Sequence, residues 1–168
     1  MSFRSSVRVE PRAPAPVLGV AMAEDKSNFM SRSFEADESF LVTAERIASF
    51  CASVGDDNPL YLDAAAATAG PYGGIIAPPA FVASFRYVDK VLEQIPAFSH
   101  GGLMAGIDIE LDAPIRAGDS IRVSSRVKET YEKTGRTGTM QFVVIRSTLT
   151  NQKGEVVAHV DHRMMKRV

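Results

Sequence analysis

The side chains able to do chemistry fall into few groupings in this sequence. Its three histidines are His100, His159 and His162, and only the last two lie close enough to share a ligand. Three residues apart on a strand, they point to opposite faces, which argues against a metal held between them. The single cysteine, Cys51, excludes an internal disulfide and a clustered cysteine zinc site. On the apolar stripe of a helix it reads as a small core residue. Gly73-Gly74 precedes a helix as a phosphate cradle would. Neither a P-loop lysine nor a dinucleotide glycine pattern accompanies it, so the pair reads as a sharp backbone turn. Arg86 and Lys90 could meet phosphates at the surface, although such residues ordinarily serve to solvate a helix face. There remains the carboxylate-rich loop Asp56-Asp57-Asn58-Pro59-Leu60-Tyr61-Leu62-Asp63. In it Asp56 also suits capping of the turn into Asn58-Pro59.

These residues need elements to hold them, and the chain's punctuation places those elements. Residues 39–42 read as a short strand. Thr43 then stands as an N-cap before Ile47, Phe50, Cys51 and Val54, which recur at helical spacing, and Gly55 ends that helix. An alanine run over 64–67 follows the loop. A second loop runs through Gly70, Pro71, Gly73 and Gly74. Pro78-Pro79 introduces Phe81, Phe85, Val88, Leu92 and Ile95, the apolar set of one long helix. After Pro96 the period falls to two. Ile121, Val123, Val127 and Tyr131 alternate with polar residues, as in a strand with one face on a core. Residues 140–150 are apolar on both faces at Phe142-Val143-Val144-Ile145, which makes that strand central, and 156–165 form another. Turn signals at 116–119, 134–138 and 151–154 are short enough to make neighbouring strands antiparallel. The pattern is one long helix ahead of four long antiparallel strands, an α+β domain.

Composition narrows the function classes. The chain has 168 residues, 45% hydrophobic and 23% charged, with a formal net charge of -1, as expected of one soluble domain able to bury a full core. Nineteen Lys+Arg against twenty Asp+Glu, without a basic run longer than two, leave no footprint for sequence-independent nucleic-acid binding. Nothing approaches the ~18 consecutive apolar residues of a membrane span. The expectation is a cytoplasmic protein that handles a small molecule or a protein partner. Residues 1–33 are rich in Arg, Ser and Pro, lack a long periodic apolar face and read as a flexible N-terminal tail, leaving 34–168 as the folded domain. Glu10 and the prolines within 11–16 spoil a targeting signal, and Met22 is an alternative start.

Three segments now carry a resemblance. Gly55-Asp56-Asp57-Asn58-Pro59-Leu60-Tyr61-Leu62-Asp63, Tyr72-Gly73-Gly74-Ile75-Ile76-Ala77-Pro78-Pro79-Ala80-Phe81 and Pro114-Ile115-Arg116-Ala117-Gly118-Asp119 occur in that order. Together they resemble the MaoC-like hotdog family, in particular its amino-terminal half, which is similar to the dehydratase of fungal fatty-acid synthase. The resemblance implies a single hotdog fold, a curved antiparallel sheet wrapped around one long helix. It also implies (R)-specific enoyl-CoA hydratase or 3-hydroxyacyl-thioester dehydratase chemistry. The thioester of coenzyme A or an acyl carrier would be part of the substrate, with no separate cofactor and no metal. The hotdog unit would pair as a homodimer, or as a heterodimer with a catalytic MaoC-like subunit.

The resemblance further implies a site. Active members carry Asp-x-Asn-Pro-x-His, whose aspartate and histidine hold a water between them. Asp56 matches the aspartate, Asn58 and Pro59 the middle, and Tyr61 falls where the histidine belongs. A phenol near ~10 stays protonated at neutral pH where an imidazole near ~6.5 exchanges its proton. In a degenerate pair Tyr61 would donate and Asp56 would do the base work. Asn58, Gly74, Ile75, Ala77, Pro78 and Phe81 would bind substrate. Active members also carry His-Gly at the start of the long helix, the glycine N–H serving as oxyanion donor; here the pair is Pro78-Pro79, and proline has no N–H. The expected function is therefore a subunit that forms the acyl tunnel and needs a catalytic partner. The alternative is a non-catalytic acyl-thioester-binding or scaffold homodimer.

Overall fold

A computed structural model describes residues 30, 32–99, 102–136 and 138–167 of this chain. The tail expected over 1–33 falls outside the described residues as far as residue 29, as do the alternative start at Met22 and also His100.

One six-stranded antiparallel sheet carries the fold. Its strands are β1 (Ser33–Glu35), β2 (Phe40–Leu41), β3 (Leu103–Leu111), β4 (Ser120–Gly135), β5 (Gly138–Thr150) and β6 (Val156–Arg167). They lie in the order β1-β4-β5-β6-β3, with β2 also on β4. The α+β architecture is the expected one. So is the central place of β5, which is paired on both edges by β4 and β6 and whose Phe142, Val143, Val144 and Ile145 are all buried. The short strand expected over 39–42 is a two-residue pairing of Phe40 with Ile121 and Leu41 with Ser120.

Helix α1 (Ala44–Val54) begins where Thr43 accepts a hydrogen bond from the Arg46 N–H at 3.2 Å, and ends at Gly55 with φ 72°, a left-handed turn that favours glycine. Ile47 and Cys51 are buried and Phe50 is half-buried. Val54, expected on the same face, is 58% exposed because the last turn runs past the core. Two short helices follow, α2 (Pro59–Leu62) and α3 (Ala64–Ala69).

The long helix expected after Pro78-Pro79 is broken. A 3₁₀ helix over Pro79–Ser84 gives way at Phe85 (φ -82°, ψ 67°), and α4 (Val88–Glu93) starts afresh without a side-chain cap. The break lies at Phe85, whose ring is turned to meet both Phe40 and Phe81 edge to face, at 5.7 and 5.6 Å between centroids. The expected apolar set is nonetheless buried throughout: Phe81, Phe85, Val88, Leu92 and Ile95 all lie inside. They divide between two apolar clusters on one face of the sheet. Val42, Ile47, Cys51 and Phe81 pack over Ile121, Val123 and Val160, and α4 packs over Val127, Val143 and Ile145.

A second difference concerns β4. Its alternation holds from Ile121 to Val127, where a bulge between Val127 and Glu129 shifts the register. Tyr131 therefore leaves the core face and stacks on Phe142, on the other side of the sheet, at 4.8 Å and 8°.

On that outer face the buried Asp161 carboxylate accepts from Arg146 at 2.7 and 2.9 Å and from Lys128 at 2.6 Å. Burial pushes its carboxyl up, but these two cations outweigh burial and hold it below the usual carboxylate range.

Candidate functional site

The loop after α1 is built by its own polar side chains. Asp56 donates its N–H to the Cys51 carbonyl and accepts the Asn58 N–H on Oδ1 at 3.2 Å. Asn58 accepts the Leu60 N–H at 3.0 Å and so caps α2, with Pro59 at the first helical position. Asp63 caps α3 by accepting from Ala65 and Ala66 at 2.8 and 3.1 Å. These caps set Tyr61 on the inward side of α2, half-buried against the core. Its hydroxyl makes no hydrogen bond among the described residues. Burial first, then the nearby Asp56 charge, push the Tyr61 phenol up. The Cys51 thiol beneath the loop is buried and pushed up for the same two reasons.

Tyr61 opens onto a cavity of about 290 Å³. The opposite walls come from Tyr72, the 76–79 segment with Val82, and the 111–115 segment that follows β3. Backbone bonds sew these walls together: Ala77 N–H to the Ile115 carbonyl at 2.8 Å, Ala117 N–H to Ile75 at 3.0 Å, Ile76 N–H to Leu60 at 3.3 Å. Arg116 adds a strap, its Nη1 donating to the Tyr72 carbonyl. The buried Asp119 holds the strap's own turn by accepting the Arg116 N–H at 2.8 Å. Gly73 takes φ 69°, which lets the chain reverse above the cavity.

Of the residues singled out in the sequence, Tyr61, Ala77 and Pro78 line this cavity. Asp56 and Asn58 are not among its lining residues: Asp56 holds the turn and Asn58 caps α2. Gly74 has open space where a Cβ would lie, Ile75 packs on the core, and Phe81 lines a different hollow. Sequence reasoning quoted Tyr72, Pro114, Ile115 and Arg116 within motifs but gave them no place in the site, and it missed the 111–113 part of the wall, although the turn signal at 116–119 marked where that wall folds back. Pro79 stands in the cavity wall at the start of the 3₁₀ helix, with no N–H to offer. Asp112 is the one carboxylate among the lining residues, and its Oδ2 faces His159 Nε2 at 3.9 Å.

The remaining chemical candidates are placed as follows. His159 meets Thr148 at 3.1 Å on the outer face, whereas His162 is buried on the core face, so the two are on opposite sides as expected. His162 Nδ1 lacks a partner, and burial, followed by the Arg86 charge, pushes the imidazole down. Arg86 and Lys90 are held in exposed pairs with Asp89 at 3.3 Å and Asp37 at 3.5 Å. Among the described residues no group of three or more His, Cys, Asp or Glu is arranged to hold a metal ion, and no helix is long and apolar enough to cross a membrane.

Residues 28–160 match a family model described as FAS1-like, dehydratase domain region. UPF0336 proteins of Streptomyces avermitilis and Streptomyces griseus are 32% and 30% identical over 152 residues, 87% of this chain and 97% of each relative. Three solved structures share the fold. A MaoC-like dehydratase superposes with TM-score 0.74 at 22% identity, over 83% of this chain and 42% of that one, so this chain spans less than half of it. The ChsH1-ChsH2 complex of Mycobacterium tuberculosis gives 0.69 at 20% identity, over 89% and 92%. The C-terminally truncated HadBC (3R-hydroxyacyl-ACP dehydratase) complex of Mycobacterium tuberculosis gives 0.68 at 24% identity, over 82% and 97%.

Proposed function

This chain belongs to the FAS1-like dehydratase-region family, and we propose that it is the acyl-binding half of a two-hotdog, MaoC-like (R)-specific enoyl-CoA hydratase or 3-hydroxyacyl-thioester dehydratase. A catalytic hotdog subunit completes the chemistry. The observation that carries this reading is the wall of the Tyr61 cavity. Where an imidazole would exchange a proton there is a phenol that burial keeps protonated, and where a backbone N–H would hold an oxyanion there is Pro79. Loss of one such donor typically costs ~10²–10³ in rate. The cavity keeps an apolar lining suited to an acyl chain. At about 30 Å³ per water-sized group it holds on the order of ten non-hydrogen atoms. The thioester of coenzyme A or an acyl carrier belongs to the substrate.

The edge strand supports a partner. β3 ends the sheet, and Leu103, Met104, Ile107, Ile109 and Leu111 along it are all exposed. A nine-residue edge strand with five exposed large apolar side chains is a template for another strand, and a second hotdog sheet would cover it. The HadBC and ChsH1-ChsH2 complexes are precedents for pairing two chains of this fold.

The test is sedimentation of the full chain, followed by steady-state hydration of crotonyl-CoA by the chain alone and with a candidate hotdog subunit. The reading expects a dimer, negligible turnover alone, and turnover with the partner above that of the partner by itself. A stable 18 kDa monomer that neither binds an acyl-CoA nor changes the partner's rate would refute it.

A further inference from the structure

Val82 of the 3₁₀ helix faces the Tyr61 cavity, whereas Phe81, Ser84 and Phe85 line a second hollow of about 450 Å³ between that helix, β2 and α1. The proposed function makes no use of it. Its apolar surface is aromatic: Phe50, Phe81, Phe85 and Phe40 run in a chain of edge-to-face contacts, with centroids 5.5, 5.6 and 5.7 Å apart. Phe81 and Phe85 are buried and form its floor. At about 30 Å³ per water-sized group the space holds on the order of fifteen non-hydrogen atoms, within the usual range of small-molecule sites.

One charge stands over this floor. Arg46 is the only ionisable residue in the lining, and its Nη1 donates to the Leu41 carbonyl at 2.7 Å, which fixes the guanidinium at the rim. No carboxylate pairs with it among the described residues, so its remaining donors are free. The Ser49 and Ser84 hydroxyls of the same lining likewise make no hydrogen bond among those residues. A guanidinium fork presents paired donors to a carboxylate, and an anion there would complete what the protein leaves unpaired. The cleft that continues past Arg46 argues against a polyanion. Asp37 and Glu38 stand in it, and its other cations, Arg86 and Lys90, are already paired with Asp89 and Asp37.

We propose that this hollow binds an amphipathic monocarboxylate, a free aliphatic or aromatic acid, with its apolar body on the phenylalanine floor and its carboxylate on Arg46. The site is independent of the Tyr61 cavity and of the partner reading.

Calorimetric titration of the full chain with dodecanoate tests it, with dodecanol as the neutral control. One saturable site is expected, with dodecanol at least about ten-fold weaker, in line with the loss of a charge-assisted bond. Arg46→Gln should weaken dodecanoate roughly ten-fold while leaving dodecanol unchanged, and Arg46→Lys should recover part of the difference. Ser84→Phe, which fills the hollow, should block both ligands, whereas Val82→Phe, which fills the other cavity, should block neither. Equal binding of acid and alcohol would overturn the proposal, as would indifference to Arg46→Gln. So would loss of binding in Val82→Phe alone, which would place the ligand beside Tyr61. Sedimentation of Ser84→Phe closes the test: conversion of an oligomer to monomer would mean that a second copy covers the hollow, and would overturn the proposal too. If Ser84→Phe fails to fold, the Arg46 pair decides.

Discussion

Replacing Tyr61 by phenylalanine removes one oxygen from the cavity wall and nothing else. The ring packs on the core and would remain, and the hydroxyl has no hydrogen-bond partner among the described residues, so its removal orphans no group. The stability change should therefore stay under ~1 kcal/mol. The same bound on acyl-thioester binding corresponds to a factor of roughly five. Were Tyr61 instead the proton donor of a working pair with Asp56, the loss would appear in turnover as ~10²-fold or more, with little change in melting. The two cases differ by more than an order of magnitude, so one assay separates them. Crotonyl-CoA binding by calorimetry and hydration by loss of the enoyl-thioester absorbance, each with the partner subunit present, supply both readouts. Asp56→Asn is the control. Its amide oxygen can still accept the Asn58 N–H that Asp56 Oδ1 accepts at 3.2 Å, so the turn survives while the charge is lost. Both variants should be nearly silent. A purified homodimer that hydrates the enoyl thioester at ordinary enzyme rates, and loses that rate with either change, would refute the reasoning and make this chain a complete catalyst.

Four further outcomes follow from particular contacts. His162 has a folded pKa below its unfolded value near ~6.5, so the folded state binds fewer protons; stability should fall as pH drops through ~6.5 toward the folded pKa, and His162→Leu should flatten that part of a melting-temperature profile. Asp161→Ala leaves Arg146 and Lys128 without their carboxylate and should cost about 2–3 kcal/mol in urea unfolding, less than the ~3–5 of a fully buried pair because both cations reach solvent. Ile109→Lys, on the exposed β3 edge, should preserve the circular dichroism spectrum and move the sedimenting species to monomer. Tyr61→His alone should stay inactive, since Pro79 still withholds a donor, and adding Pro79→Gly should raise hydration of crotonyl-CoA by ~10²-fold or more over the single variant.

Much of the frame was legible in the residues because local signals decide it. Thr43 and Gly55 bracket α1 as caps, and a run apolar on both faces could only be a central strand. The differences arise where distant residues act on the backbone. Phe85 leaves helical geometry as its ring meets Phe40, which lies 45 residues earlier and belongs to a strand of only two residues. The bulge after Val127 sends Tyr131 to the outer face, and its one local sign is Glu129, a charge where the alternation from Ile121, Val123 and Val127 calls for an apolar residue. The cavity was harder still. Its 111–115 wall comes from a segment beyond an exposed edge strand, carried to the site by the Arg116 strap onto the Tyr72 carbonyl. Spacing along the chain cannot report a contact that a turn and a loop make only when both are folded.

The site's shape and its chemistry are separable in this chain, and the same motifs show why. Asp56 closes the turn, Asn58 and Asp63 cap helices and Pro59 starts one, so the Asp-x-Asn-Pro frame builds the turn whether or not a reaction occurs there. The Tyr61 hydroxyl, by contrast, makes no hydrogen bond among the described residues; only the residue's backbone N–H, donating to the Asn58 carbonyl at 3.0 Å, helps shape the loop. That side-chain position is where a proton-exchanging imidazole would stand. Pro78-Pro79 joins the two strands of the argument. Pro79 opens the 3₁₀ helix at a position whose N–H no helix would use, and by the same covalent fact it takes the N–H out of the cavity wall. On the proposed reading, a wall with no N–H at Pro79, a phenol that stays protonated and an intact turn leave a container for an acyl group. The apolar β3 edge is where a second hotdog would bring the missing groups.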